Sequence, residues 1–286
     1  MVWKAAKQSL RQAAHSAKAM ASGASRVLPD FVIVGAQKAG TTSLFHYLQQ
    51  HPRIAPPSSK EVHYFDYNYH RGENWYRAHF LTAADKAKRE KRLGETVMTF
   101  EASPYYMYHP LAIERMRADL PGCKAIAMLR DPVARTYSHF WHEANKDQDD
   151  RSLEDAIERE PERLAGEAEK IRDNPEYHSY AHQHFSYVDR SRYGAQVQRL
   201  HDVLGPQNVC LVKSEAFFAD PAAETERVFR FLGLEPAEGI DYAPQNVGSY
   251  ADRIPAETMA RLKELLAEDY ALLRRIGGEQ FDWFED

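Results

Sequence analysis

The sequence predicts a three-layer α/β fold, a mainly parallel sheet flanked by helices. Short β-type runs alternate with helix-spaced segments along the chain, the pattern of a parallel sheet with helical crossovers. A buried-type strand at Phe31–Val34 enters a glycine-bounded turn and then a helix without interruption. The chain has 286 residues, of which 43% are hydrophobic and 12% aromatic, enough for one substantial core.

Residues 1–29 form a basic extension, helical or flexible. Lys4, Lys7, Arg11, Lys18 and Arg26 sit among Ala and Ser, with no acidic residue before Asp30. The stretch lacks the apolar centre of a secretion signal; its character suits a solvated extension or weak contact with an anionic membrane surface. Residues 30–286 are expected to be a single domain. Strands are predicted at Phe31–Val34, Val97–Glu101, Lys124–Leu129 and Asn208–Val212. Apolar spacing predicts helices at Thr41–Gln50, Leu111–Leu120, Pro132–Asn145 and Arg192–Leu204. Two more begin after Pro221 and Pro255, the latter spanning Glu257–Arg275. The charged stretch Asp147–Asp173 reads as a solvated helical insertion broken at Pro161.

Composition excludes several classes. No run of about 18 apolar residues is present, so no membrane-spanning helix is expected. A formal charge of −5 gives no reason to expect nucleic-acid binding, and an anion site must be built from a few placed cations. Cys123 and Cys210 each adjoin apolar runs and are expected to be buried thiols, not a disulfide. His178, His182 and His184 are closely spaced but lack partner cysteines, and no metal is expected.

The segment Phe31-Val-Ile-Val-Gly-Ala-Gln-Lys-Ala-Gly-Thr-Thr-Ser is the most informative in the chain. Gly35 and Gly40 allow a tight turn. The N–H groups of Gly40, Thr41, Thr42 and Ser43 open the helix, the Thr and Ser hydroxyls add donors, and Lys38 adds charge: an anion hole. The Gly35–Gly40 spacing is P-loop-like, but the nucleotide loop carries Lys then Ser or Thr where this chain has Thr41-Thr42. The lysine stands inside the loop instead. Asp131 is the one acidic strand-end residue available for Mg²⁺, and Pro132 follows it directly, so a donor needing no metal fits better. Gln37 occupies a position where the dinucleotide fingerprint needs glycine.

Gly35-Ala-Gln-Lys-Ala-Gly-Thr-Thr-Ser resembles the 5′-phosphosulfate loop of sulfotransferases that use 3′-phosphoadenosine 5′-phosphosulfate (PAPS). The resemblance assigns Lys38, Ala39, Gly40, Thr41, Thr42 and Ser43 to the donor. Lys124–Leu129 followed by Arg130-Asp-Pro-Val-Ala-Arg-Thr-Tyr-Ser138 resembles the family's 3′-phosphate motif, with Arg130 and Ser138 as phosphate ligands. Lys60-Glu-Val-His-Tyr-Phe-Asp66 resembles the heparan sulfate N- and O-sulfotransferase branch and its bacterial relatives, in which the glutamate is the proposed base. By that resemblance Glu61 accepts the acceptor proton and Lys38 offsets charge on the leaving oxygen. His63 is the rival base, having the better unperturbed pKa; on an extended segment it points the same way as Glu61. Tyr193 matches a position near the adenine end of the donor, with a core tyrosine as the other reading. Gly248, Ser249 and Tyr250 match the loop that closes over the 3′-phosphate.

Ala102 stands where the animal heparan sulfate enzymes carry a lysine, and their disulfide-bearing loop is absent. These departures point to a bacterial cytoplasmic enzyme. The expected partner is a hydroxyl- or amine-bearing acceptor, a saccharide above all; a lipid or natural-product hydroxyl is the alternative. A nucleotide-binding protein without turnover is the non-enzymatic rival.

Overall fold

The computed structural model of the chain describes residues 23–146, 149–243 and 254–284. Five strands make its centre: β1 (Phe31–Gly35), β2 (Ile54–Ala55), β3 (Met98–Ala102), β4 (Lys124–Leu129) and β5 (Val209–Lys213). They lie in the order β2-β3-β1-β4-β5, and every pairing is parallel. The four expected strands are present within one residue of their predicted bounds. The fifth, β2, has two residues and leaves no periodic signature. Phe31, Val32, Ile33 and Val34 are fully buried, as a central strand covered on both faces must be.

Along the chain the helices are α1 (Thr41–Leu48), α2 (Glu73–Arg77), α3 (Ala83–Leu93), α4 (Ala112–Asp119), α5 (Pro132–Ala144) and α6 (Leu153–Leu164). They continue with α7 (Glu167–Asp173), α8 (Tyr180–His184), α9 (Tyr193–Leu204), α10 (Ser214–Ala219), α11 (Pro221–Leu232) and α12 (Ala256–Gly277). One group packs α1 against β1 and α11; another packs α9 against β4, β5, α4 and α12. Cys123 and Cys210 are free and buried.

Residues 147–173 depart from expectation. Pro161 does not break its helix. It lies inside α6, which runs on to Leu164, and the break falls at Ala165 and Gly166, where Gly166 has φ of 73°. The ring removes one N–H from the ladder, while Leu153, Ala156 and Glu160 anchor the helix by their burial. Glu160 is no surface charge: its carboxylate accepts the backbone N–H groups of Val188 and Asp189 at 2.8 and 2.7 Å. Asp149, also buried, accepts from Arg163 at 2.7 Å and Tyr187 at 2.9 Å.

A similar long-range device starts α9. No residue next to it caps the helix; instead Asp269 on α12 accepts the N–H of Gly194 at 2.7 Å and of Ala195 at 3.0 Å. The close approach requires glycine, because a Cβ at Gly194 would lie 2.4 Å from the Asp269 carbonyl oxygen. Gly194→Ala therefore has to push α9 and α12 apart, and it should lower stability by about 1–3 kcal/mol in chemical denaturation. An unchanged denaturation midpoint would show that the two helices are not locked at this point.

Candidate active site

Because the sheet is wholly parallel, the segments leaving β1, β3, β4 and β5 emerge at one edge, where open α/β sheets bind ligands. A cavity of about 1080 Å³ lies there. Its lining includes Gln37 and Lys38 after β1, Pro104 and Tyr105 after β3, Arg130 and Asp131 after β4, and Ser214 and Glu215 after β5.

The β1–α1 loop is held in an unusual shape from below. Lys38 has φ of 72° and Gly40 of 96°, so a lysine occupies left-handed backbone normally left to glycine. Two buried guanidinium groups grip the residue before it. Arg135 Nε donates to the Gln37 carbonyl at 3.3 Å, and Arg190 Nη1 donates to Gln37 Oε1 at 2.5 Å. Arg130 Nη1 reaches the Lys38 carbonyl at 3.4 Å, and the Ser214 hydroxyl donates to that of Ala39. Neither Lys38 nor Arg130 forms an ion pair with a carboxylate among the described residues. Burial, and then the charges of Arg130, Lys146 and Arg135, push the Lys38 pKa below its usual value. Glu143 offsets only part of this crowding of cations, an arrangement that suits an anion.

The expected donor residues divide. Lys38, Gly40, Thr41, Thr42, Arg130 and Ser138 all line the cavity. Ser138 is reached from α5, whose first turn is capped by Asp131 accepting from Val133 at 2.7 Å and Ala134 at 3.0 Å. Asp131 thus serves a helix end. Ala39 and Ser43 lie fully buried behind the loop, and the Ser43 hydroxyl is engaged with Tyr47. Tyr193 is buried with its ring centroid 6.4 Å from that of Trp283, which itself lines the cavity. Gly248, Ser249 and Tyr250 lie outside the described residues, as do residues 1–22 of the basic extension.

Glu61 and His63 come together, but not on an extended segment. Both are left-handed, with φ of 59° and 54°, pinned by bonds from Glu61 N to the Ala102 carbonyl at 3.1 Å and from His63 N to Ser103 Oγ at 3.1 Å. Asp66, three residues on, holds His63 Nδ1 at 2.6 Å, while His63 Nε2 lies 3.7 Å from Glu61 Oε2. Burial opposes the imidazolium, but Asp66 and Glu61 outweigh it and hold the His63 pKa up at about 10. At neutral pH His63 is a cation. The same imidazole draws Glu61 down to about 2 against its burial, with help from Lys60. Lys60 also donates to Thr42 Oγ1 at 2.7 Å, tying the Glu61 turn to the start of α1. Beneath them, burial raises the Glu101 carboxyl to about 7, against hydrogen bonds from Tyr76 and Tyr106.

Sequence reasoning missed Gln37, Arg135, Arg190, Lys60 and Asp66 as parts of the site. Only Asp66 had a local signal, its spacing from His63. The three histidines have separate partners: His182 Nδ1 meets the Tyr105 hydroxyl at 2.7 Å, His184 meets Glu143, and His178 packs against Tyr67. Ala102 is fully buried in the core at the end of β3.

Comparison with known proteins agrees with this geometry. The family described as "Sulfotransferase domain" matches residues 28–259. Over 124 residues, 42% of the chain, it is 40% identical to the membrane-associated sulfotransferase kil1 of Dictyostelium discoideum, covering 25% of that protein. It is 31% identical over 213 residues to mouse (Mus musculus) heparan sulfate glucosamine 3-O-sulfotransferase 3A1, covering 74% of the chain and 47% of the relative. The chain thus spans a quarter to a half of the length of these relatives. The crystal structure of a sulfotransferase from Alicyclobacillus acidocaldarius superposes with a TM-score of 0.64 at 28% identity, covering 90% of this chain and 99% of that one. With its fold and most of its length matched, the chain belongs to the sulfotransferase domain family.

Proposed function

We propose that the protein moves a sulfuryl group from PAPS to an acceptor hydroxyl or amine on a carbohydrate or glycoconjugate. The observation that carries this reading is the pair Lys38 and Arg130, two cavity-lining cations without carboxylate partners, converging from β1 and β4. The residues suit the donor: N–H groups of α1 and Lys38 for the 5′-phosphosulfate, Arg130 and Ser138 for the 3′-phosphate. No helix among the described residues is long and apolar enough to cross a membrane. We place the enzyme in a bacterial cytoplasm, a setting supported by its two unpaired buried cysteines.

In the proposed reaction the acceptor oxygen forms a bond to sulfur as the bond from sulfur to the bridging phosphate oxygen breaks. The acceptor proton passes to the Glu61 carboxylate, and 3′,5′-bisphosphoadenosine leaves. Lys38 is assigned the offsetting of charge that grows on the bridging oxygen. His63, protonated and fixed by Asp66, is assigned the orientation of Glu61, not the uptake of the proton. A base held near pKa 2 works only if proton transfer is concerted with attack. Carbohydrate as the acceptor class is supported by the saccharide named for the mouse relative and by the aromatic and polar wall of Tyr105, Gln183 and His142.

Transfer of label from ³⁵S-labelled donor tests the reading. Glu61→Gln should lower kcat by roughly 10²-fold or more while leaving nucleotide affinity near wild type; full turnover in that variant removes Glu61 as base. The depressed Lys38 pKa sets an alkaline limb: kcat/KM should fall as Lys38 loses its proton below the usual 10.5. Lys38→Arg should move that limb upward, and an unmoved limb would assign it to another group. His63 gives a stability signature. Its raised folded pKa contributes stability in full below about 6.5, its unfolded value. That contribution is lost as pH rises through about 10. The advantage of wild type over His63→Gln in denaturation should therefore shrink between pH 6 and pH 10; a constant gap contradicts the charged imidazole.

A further inference from the structure

Glu143, near the end of α5, is almost wholly buried, with 2% side-chain exposure, and imidazoles surround it. His184 Nδ1 lies 2.8 Å from its Oε2, while His139 Nε2 and His142 Nε2 stand 3.6 and 4.0 Å from Oε1. Burial opposes ionisation of Glu143, but His139 and His184 hold its carboxyl below the usual range. His184 keeps 21% of its side chain exposed, lines the same cavity as Lys38 and Glu61, and packs against Tyr180 at 4.4 Å between ring centroids. A carboxylate on Nδ1 selects the tautomer whose Nε2 carries a lone pair, and that atom has no protein partner among the described residues. His63 has a carboxylate at each ring nitrogen, and His182 is closed by Tyr105. His184 offers an oriented hydrogen-bond acceptor to whatever occupies the cavity.

We propose that Glu143 and His184 form a second acceptor-binding site, taking one hydroxyl of a polyhydroxylated ring while another hydroxyl of that ring is presented to Glu61. The inference rests on the sulfotransferase reading for the role of Glu61. Its own ground is separate: two oriented proton acceptors, carried by different elements, line one cavity and ask for a ligand with at least two donors. None of the residues assigned to the nucleotide is used.

Binding measured by saturation-transfer NMR, with 3′,5′-bisphosphoadenosine present, tests the site without needing turnover. The probes are methyl β-D-glucopyranoside, with several hydroxyls, and cyclohexanol, with one. His184→Phe, which keeps a ring against Tyr180, should weaken glucoside binding about tenfold, and His184→Gln, which returns an acceptor oxygen, should recover most of it. Cyclohexanol should respond to neither. The proposal is overturned if wild type binds no glucoside, if His184→Phe binds it as wild type does, or if both probes weaken alike. Glucoside binding that depends on His184 in a protein that transfers no sulfuryl would overturn the sulfotransferase reading and leave the polyol site standing.

Discussion

Positive charge gathered around one short loop is the constraint on which the rest of the structure depends. Lys38 sits in left-handed backbone, Arg130 adjoins its carbonyl, and Arg135 and Arg190 hold Gln37 from the buried side. Gathering such groups costs desolvation and mutual repulsion, and only an over-determined scaffold can maintain it. The parallel sheet is that scaffold: β1 and β4 are parallel neighbours, so the loop after one and the arginine after the other leave the same edge side by side. A chain of formal charge −5 thereby gathers cations at one loop.

Across the cavity the charges are paired. Glu61, His63 and Asp66 form a chain of alternating sign in which His63 is the cation between two carboxylates. The unperturbed pKa of histidine made His63 a rival for the base, but its neighbours decide its charge. The same chain lowers the basicity of Glu61. Lys60 links the two halves, touching both Thr42 and Glu61.

What the sequence revealed was local. The strand–loop–helix at Phe31–Leu48, the capped start of α5 and the Arg130–Ser138 spacing each lie within a few residues, so propensity, glycine placement and periodicity expose them. What it hid depends on partners far along the chain. Gln37 and Arg190 are 153 residues apart, Gln37 and Arg135 98, and Gly194 and Asp269 75. Glu160 looked like one charge in a solvated helix because its role needs the turn at Val188 and Asp189. The left-handed turns at Glu61 and His63 were equally invisible, since they follow from bonds to the end of β3 and not from the residues themselves.

The central claim is that the cations around Lys38 await a doubly phosphorylated adenosine donor that needs no metal. The most direct measurement is thermal unfolding with 3′,5′-bisphosphoadenosine in EDTA, beside ATP with Mg²⁺. A ligand at 100 times its Kd should stabilise the fold by about 2.7 kcal/mol. The account predicts a Tm rise of several degrees with the bisphosphate, falling with added salt and lost in Arg130→Ala, and little response to ATP. No shift with the bisphosphate, or a larger one with ATP and Mg²⁺, would contradict it.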